Sequence, residues 1–160
     1  MNERYDTRQS FLRTPEFKAA FDEVSSALQT EHCLIGGLAV AHYANPPVTM
    51  DIDLLVKATF KPFYEQCKQA FRPAGWRVVL FGFPNLGWSE GMPRKGVRLA
   101  SRDTVPPLVL DLLTTGIDRY LNSVVENAMT AEVQPGLLLR IARPEDIVVI
   151  KTMAGREKDH

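Results

Sequence analysis

The chain has 160 residues, 45% hydrophobic and 24% charged, a length and balance that suit one globular domain, 1–160, with room for a proper core. Basic and acidic residues number 19 each, which excludes a globally basic nucleic-acid footprint while leaving room for a local basic patch. The charged opening MNERYDTRQS carries no signal-peptide core, no run approaches the roughly 18 apolar residues of a membrane span, and Cys33 and Cys67 form no Cys-x-x-Cys or His/Cys cluster. Export, membrane spanning and zinc binding are therefore not expected, and a cytoplasmic protein with two reduced packing cysteines is.

In chain order, Thr14-Pro15-Glu16 reads as an N-cap followed by proline at the first helical position, and Phe17, Ala20, Phe21, Val24 and Leu28 recur at helical spacing. A short apolar strand follows over 33–35. Gly36-Gly37 then opens a helical segment over 38–43, which Ala44-Asn45-Pro46-Pro47 breaks. A strand is predicted over 50–57, a helix over 60–71 ended by Pro73-Ala74-Gly75, and a strand over 76–81. A long Gly/Pro/aromatic connection over 82–96 leads to strands near 97–101 and over 107–114. A helix near 117–127, a strand over 137–142 and a helix from Pro144 complete the chain. Strands separated by helices, with hairpin-like neighbours, predict an α/β fold whose helices pack on a mixed sheet.

Chemistry is written most plainly in the strand over 50–57. Ile52, Leu54, Leu55 and Val56 mark it as buried, yet it carries Asp51 and Asp53. Residues i and i+2 of a strand share a face, and two carboxylates about 6 Å apart repel by about 3 kcal/mol at an effective dielectric near 20. A cation between them is the natural remedy. Mg²⁺ suits it, because this hard ion takes one or two carboxylates and completes its shell with water and substrate phosphates. The bland alternative is a solvated strand end beside the Pro-Pro turn. Free N–H groups at Gly36 and Gly37 would form an anion site at a helix start, unless the pair is an ordinary tight turn.

Gly-Gly, a spacer of roughly a dozen residues and Asp-Ile-Asp together resemble the polymerase-beta-like nucleotidyltransferase superfamily. The closest flavour is that of small bacterial nucleotidyltransferases, which include AbiEii-like abortive-infection toxins and antibiotic-modifying enzymes. The resemblance implies an NTP substrate, Mg²⁺ or Mn²⁺, and transfer of a nucleoside monophosphate to an acceptor hydroxyl. It also calls for a third carboxylate. Asp111 is the candidate, in the run Leu108-Val109-Leu110-Asp111-Leu112-Leu113, where an unpaired acid would carry a heavy desolvation cost. By resemblance it is a metal ligand and a base towards the acceptor; alternatively, backbone N–H groups satisfy it at a strand mouth.

A second stretch, from Leu139 through Pro144-Glu145-Asp146 to Asp159, resembles the Pro-Glu-Asp, apolar run, lysine segment of the abortive-infection type. It implies Lys151 as the phosphate contact and Arg156 as a weaker one. Ile147, Lys151, Ala154 and Lys158 share a helical stripe, and the alternative is a lysine snorkelling to solvent. The sequence departs from the family at Pro47, where an arginine is common.

Arg94, Lys95, Arg98 and Arg102 could form a basic face for an RNA acceptor, though a solvated face is the commoner outcome. Phe81, Phe83 and Trp88 could stack on a base or close a dimer, and packing under a loop is the plainer fate. Asp103 and Asp118 read as surface or capping residues, and His32 and His42 as core or helix-surface histidines. With no appended helical domain in view, a homodimer or a helical partner protein is expected to form the far wall of the acceptor cleft. The alternative to an enzyme is a nucleotide-binding regulatory or interaction module on the same fold.

Overall fold

The computed structural model describes residues 14–44, 51–83, 94–102 and 107–154. Helix α1 (Pro15–Ala27) starts as its sequence dictates, with the Thr14 hydroxyl accepting from the Phe17 N–H at 3.2 Å and Pro15 in the first turn. Its Phe17, Ala20, Phe21 and Val24 are buried. Then come β1 (His32–Ile35), α2 (Gly36–Tyr43), β2 (Ile52–Val56), α3 (Phe60–Phe71), β3 (Arg77–Phe83) and β4 (Arg94–Ala100). They are followed by β5 (Val109–Thr114), α4 (Arg119–Glu126), β6 (Met129–Gln134), β7 (Leu137–Ile141) and α5 (Pro144–Ala154).

The strands form one seven-stranded mixed sheet in the order β3-β4-β5-β2-β1-β7-β6. The fold is α/β, with five helices and seven strands among the described residues. β2 and β5 run parallel at its centre, β1 and β7 are also parallel, and the other neighbours are antiparallel. A central parallel pair is covered on both faces, which explains why Ile52, Leu54, Leu55 and Val56 on β2 and Leu110, Leu112 and Leu113 on β5 are all buried. Helix α2 packs on β1, β2 and α5, α3 on β3 and β4, and α4 on β2. Phe63, Cys67 and Phe71, spaced by four, form the buried stripe of α3. Each such fully buried large side chain contributes about 1.5–3 kcal/mol of burial. Cys33 and Cys67 are free and buried, and burial pushes both thiols up to about 12.

Several boundaries differ from those the sequence predicts. β2 begins at Ile52, so Asp51 lies just before the strand rather than inside it. The helix after β1 begins at Gly36 itself. β3 and β4 run into the connection over 82–96, taking up Gly82 and Gly96, because Phe81 pairs with Gly96 and covers it; residues 84–93, with Trp88, lie outside the described residues. A Cβ on Gly96 would stand 2.7 Å from Phe81 Cε1. β6 has no counterpart in the sequence reading. Its MTAEVQ is half polar, with no residue fully buried, because it is an edge strand paired only to β7 across the Pro135-Gly136 turn, with Gly136 at φ 76°. Asp118 is indeed a cap: its carboxylate accepts from the Leu121 N–H at 3.0 Å, so α4 starts after Ile117.

Candidate functional site at the head of β2

The central ladder sets the site. Arg98 on β4 is in register with Asp111 on β5, Asp111 with Asp53 on β2, and Asp53 with Ile35 on β1. In-register residues project to one face, so Arg98, Asp111 and Asp53 stand side by side on three adjacent strands. Asp51 is exposed two residues before Asp53.

Gly36 closes the other side of Asp53. Its φ is +70°, and a Cβ there would stand 2.7 Å from Asp53 Cγ and 2.8 Å from Asp53 Cβ, overlapping the carboxylate. Only glycine satisfies both the backbone and the space. Ile35 gives α2 no side-chain cap, so the first N–H groups of α2, at Gly36 and Gly37, stand uncapped by Ile35 beside the acid-bearing strand. The positive end of the helix dipole favours negative charge at this point.

Asp111 is only 6% exposed and is held by Arg98 through two parallel bonds, Nε to Oδ1 and Nη2 to Oδ2, both at 2.7 Å. Such side-on pairs are strong and fix orientation. The Arg98 guanidinium also lies 5.2 Å from the centre of the Phe81 ring. Its hydrogen bond to Asp111 raises its pKa further, partial burial opposes this, and the charges of Asp111, Asp51 and Asp53 add to it. Arg98 thus feels all three aspartates. Neither the basic face for a polyanion nor the commoner solvated face describes Arg98: it faces Asp111, and Arg102 lies beyond the end of β4. The signal that could have found the pair was the acid inside an apolar run, which demanded a cation, and an arginine one strand earlier set between buried Val97 and Leu99.

Lys151 is half-buried on α5, one turn beyond the buried Ile147, on the helix that packs against α2. Arg156, Lys158, Pro47 and Asp103 lie outside the described residues, as do the side chains of Phe83, Arg94 and Lys95. His32 is a packing residue, with Nδ1 2.8 Å from the Thr30 carbonyl, and His42 is on the exposed surface of α2.

As donors for a metal, Asp51 and Asp53 suit one hard cation that keeps waters and phosphate oxygens in its shell. Asp111 accepts one bond from Arg98 on each of its oxygens, so in this conformation the guanidinium already meets the charge that a further ion would neutralise, while each oxygen keeps a second lone pair. Among the described residues, no three His, Cys, Asp or Glu side chains gather as a metal cage. Nor is any helix among them long and apolar enough to cross a membrane.

No family model matches the chain. No curated protein matches it either. Among solved structures it is similar to JHP933 from Helicobacter pylori, at 18% identity and a TM-score of 0.42 over 87% of this chain and 57% of that one. It is also similar to a candidate nucleotidyltransferase from H. pylori, at 20% identity and a TM-score of 0.43 over 94% of this chain and 59% of that one. The chain therefore spans less than three fifths of the length of either structure.

Proposed function

We propose that the head of β2 binds a nucleoside triphosphate with Mg²⁺ or Mn²⁺ and transfers the nucleoside monophosphate to an acceptor hydroxyl, releasing pyrophosphate. The observation that carries this reading is Gly36 seated on Asp53, which sets a helix start that Ile35 does not cap, of a kind suited to phosphates, directly against an acid suited to a metal. Asp51 and Asp53 hold the ion, which when bound neutralises phosphate charge and orients the α-phosphate. The N–H groups of Gly36 and Gly37 and the ammonium of Lys151 receive the triphosphate. Asp111, one strand over, is the third carboxylate of the set and the base nearest an acceptor. The acceptor class is RNA, protein or a small alcohol; an abortive-infection toxin and an antibiotic-modifying enzyme are finer versions of the same chemistry. A homodimer or a helical partner completes the acceptor wall.

One observation favours a second reading. The Arg98–Asp111 pair occupies the third carboxylate, as expected of a module that binds nucleotide without transferring it. Incubation with each labelled NTP and Mg²⁺ or Mn²⁺, against tRNA and a panel of small alcohols, separates the two. Labelled acceptor with pyrophosphate release supports transfer. Binding without release supports the module, and no binding of any NTP contradicts both.

A further inference from the structure

We propose that Arg98 is a phosphate-binding residue of this site, and that Asp111 positions it rather than ligating a second metal ion. The proposal rests on the nucleotide-binding reading above and assigns two of its residues new roles.

The geometry of the guanidinium carries the argument. Arginine has five N–H donors in a planar fork. Asp111 takes Nε–H and one hydrogen of Nη2, which leaves the other Nη2 hydrogen and both on Nη1 directed away from Asp111. Phe81 braces the same group, with its ring against the guanidinium and lying over Gly96, whose missing side chain makes room for it. An arginine fixed by a buried carboxylate at its edge and a ring at its face has little rotamer entropy left to lose on meeting a ligand. It is also reachable: its side chain is 45% exposed, and Val79, its register partner on β3, is 43% exposed.

Position supplies the ligand's chemistry. Arg98 is two strands from Asp53, about 10 Å between backbones, a gap that side chains from both sides and a polyphosphate between them can bridge. Phosphate oxygens lying between the two would then meet a cation held by Asp51 and Asp53 on one side and the guanidinium on the other. The fixed positive charge stands where a second ion would otherwise be needed, and a bidentate fork matches phosphate geometry better than a point charge does.

Inorganic tripolyphosphate, titrated calorimetrically in chelator-treated buffer, tests this without metal or turnover. The charge-balanced pair R98M/D111N removes one positive and one negative charge, so it changes the donors and not the net charge. It is expected to bind tripolyphosphate at least tenfold more weakly than the wild type, with R98K falling between. Equal affinity in wild type and R98M/D111N, or no metal-free binding by the wild type, would overturn the assignment. Mn²⁺ counted by electron paramagnetic resonance with tripolyphosphate present should give one ion per wild-type chain; two would overturn it. If D51N/D53N abolishes Mn²⁺ binding while R98M/D111N changes nothing, Arg98 and Asp111 are misassigned and the nucleotide site stands. A wild-type chain that binds neither Mn²⁺ nor tripolyphosphate overturns both.

Discussion

The two ends of β2 both carry charge clusters, and they are built differently. Beyond its C-terminal end, Lys57 reaches Glu126 at 2.8 Å and Glu31 at 3.8 Å, while Arg140 lies 3.6 Å from Glu31 and donates to the Val125 carbonyl at 2.7 Å. The four side chains are 35% to 56% exposed and long enough to adapt. They tie β2 and β7 to the end of α4, where cations suit the helix dipole. At the N-terminal end the charges are short aspartates fixed by strand register, with a buried acid, a side-on arginine and a glycine that admits no side chain. Long exposed pairs are screened and interchangeable, whereas short ones set by backbone geometry hold a shape. A ligand that needs atoms at fixed places requires the second kind.

Substitutions that break this contrast should differ sharply in cost. Gly36→Ala is expected to have the largest effect, about 3 kcal/mol of stability, because positive φ is strained for alanine and its Cβ overlaps Asp53. Chemical denaturation measures it, and a cost below about 0.5 kcal/mol, within the ordinary surface range, would show that α2 does not rest on Asp53. Arg98→Met should cost about 2–3 kcal/mol, between the values for exposed and buried pairs, since it leaves the Asp111 carboxylate buried beside no guanidinium. Lys57→Met at the other end should cost clearly less, as exposed, adaptable pairs do. Equal costs for these two would erase the distinction between the ends.

The smallest expected effect lies in His32. Burial lowers its pKa from 6.5, the hydrogen bond to the Thr30 carbonyl opposes that, and the Arg140 charge lowers it further. The unfolded chain therefore binds the proton more tightly than the folded one. His32 contributes stability that is present above pH 6.5 and is lost as pH falls through its lower folded pKa. Unfolding free energy measured from pH 7.5 to 5 should decline in the wild type and decline less in His32→Gln. Parallel curves would remove His32 from the acid limb.

Local patterns made much of this molecule legible. Thr14-Pro15 with the stripe Phe17, Ala20, Phe21 and Val24 specified α1 and its cap, because capping and helical spacing act within a few residues. The apolar runs of β2 and β5 declared the central pair. An edge strand leaves no such trace, so β6, half polar and turned at Gly136, was not legible before the sheet was assembled. Asp53 and Asp111 could be singled out as acids with no structural use in an apolar strand. That they stand in register, and that Arg98 meets Asp111, depends on how strands β4, β5 and β2 are ordered, which no local pattern encodes. Glycines 82 and 96 looked like loop residues for the same reason: Phe81 covers Gly96 from the neighbouring strand.

The measurement closest to the central claim is calorimetric titration of Mn²⁺ in the presence of a non-hydrolysable nucleoside triphosphate, comparing wild type with Asp51→Asn/Asp53→Asn. The wild type should bind the ion, and the double variant should lose metal-dependent binding while melting at the same temperature or higher, since removing two neighbouring like charges relieves their repulsion. Undiminished Mn²⁺ binding by the double variant would contradict a metal–nucleotide site at the head of β2.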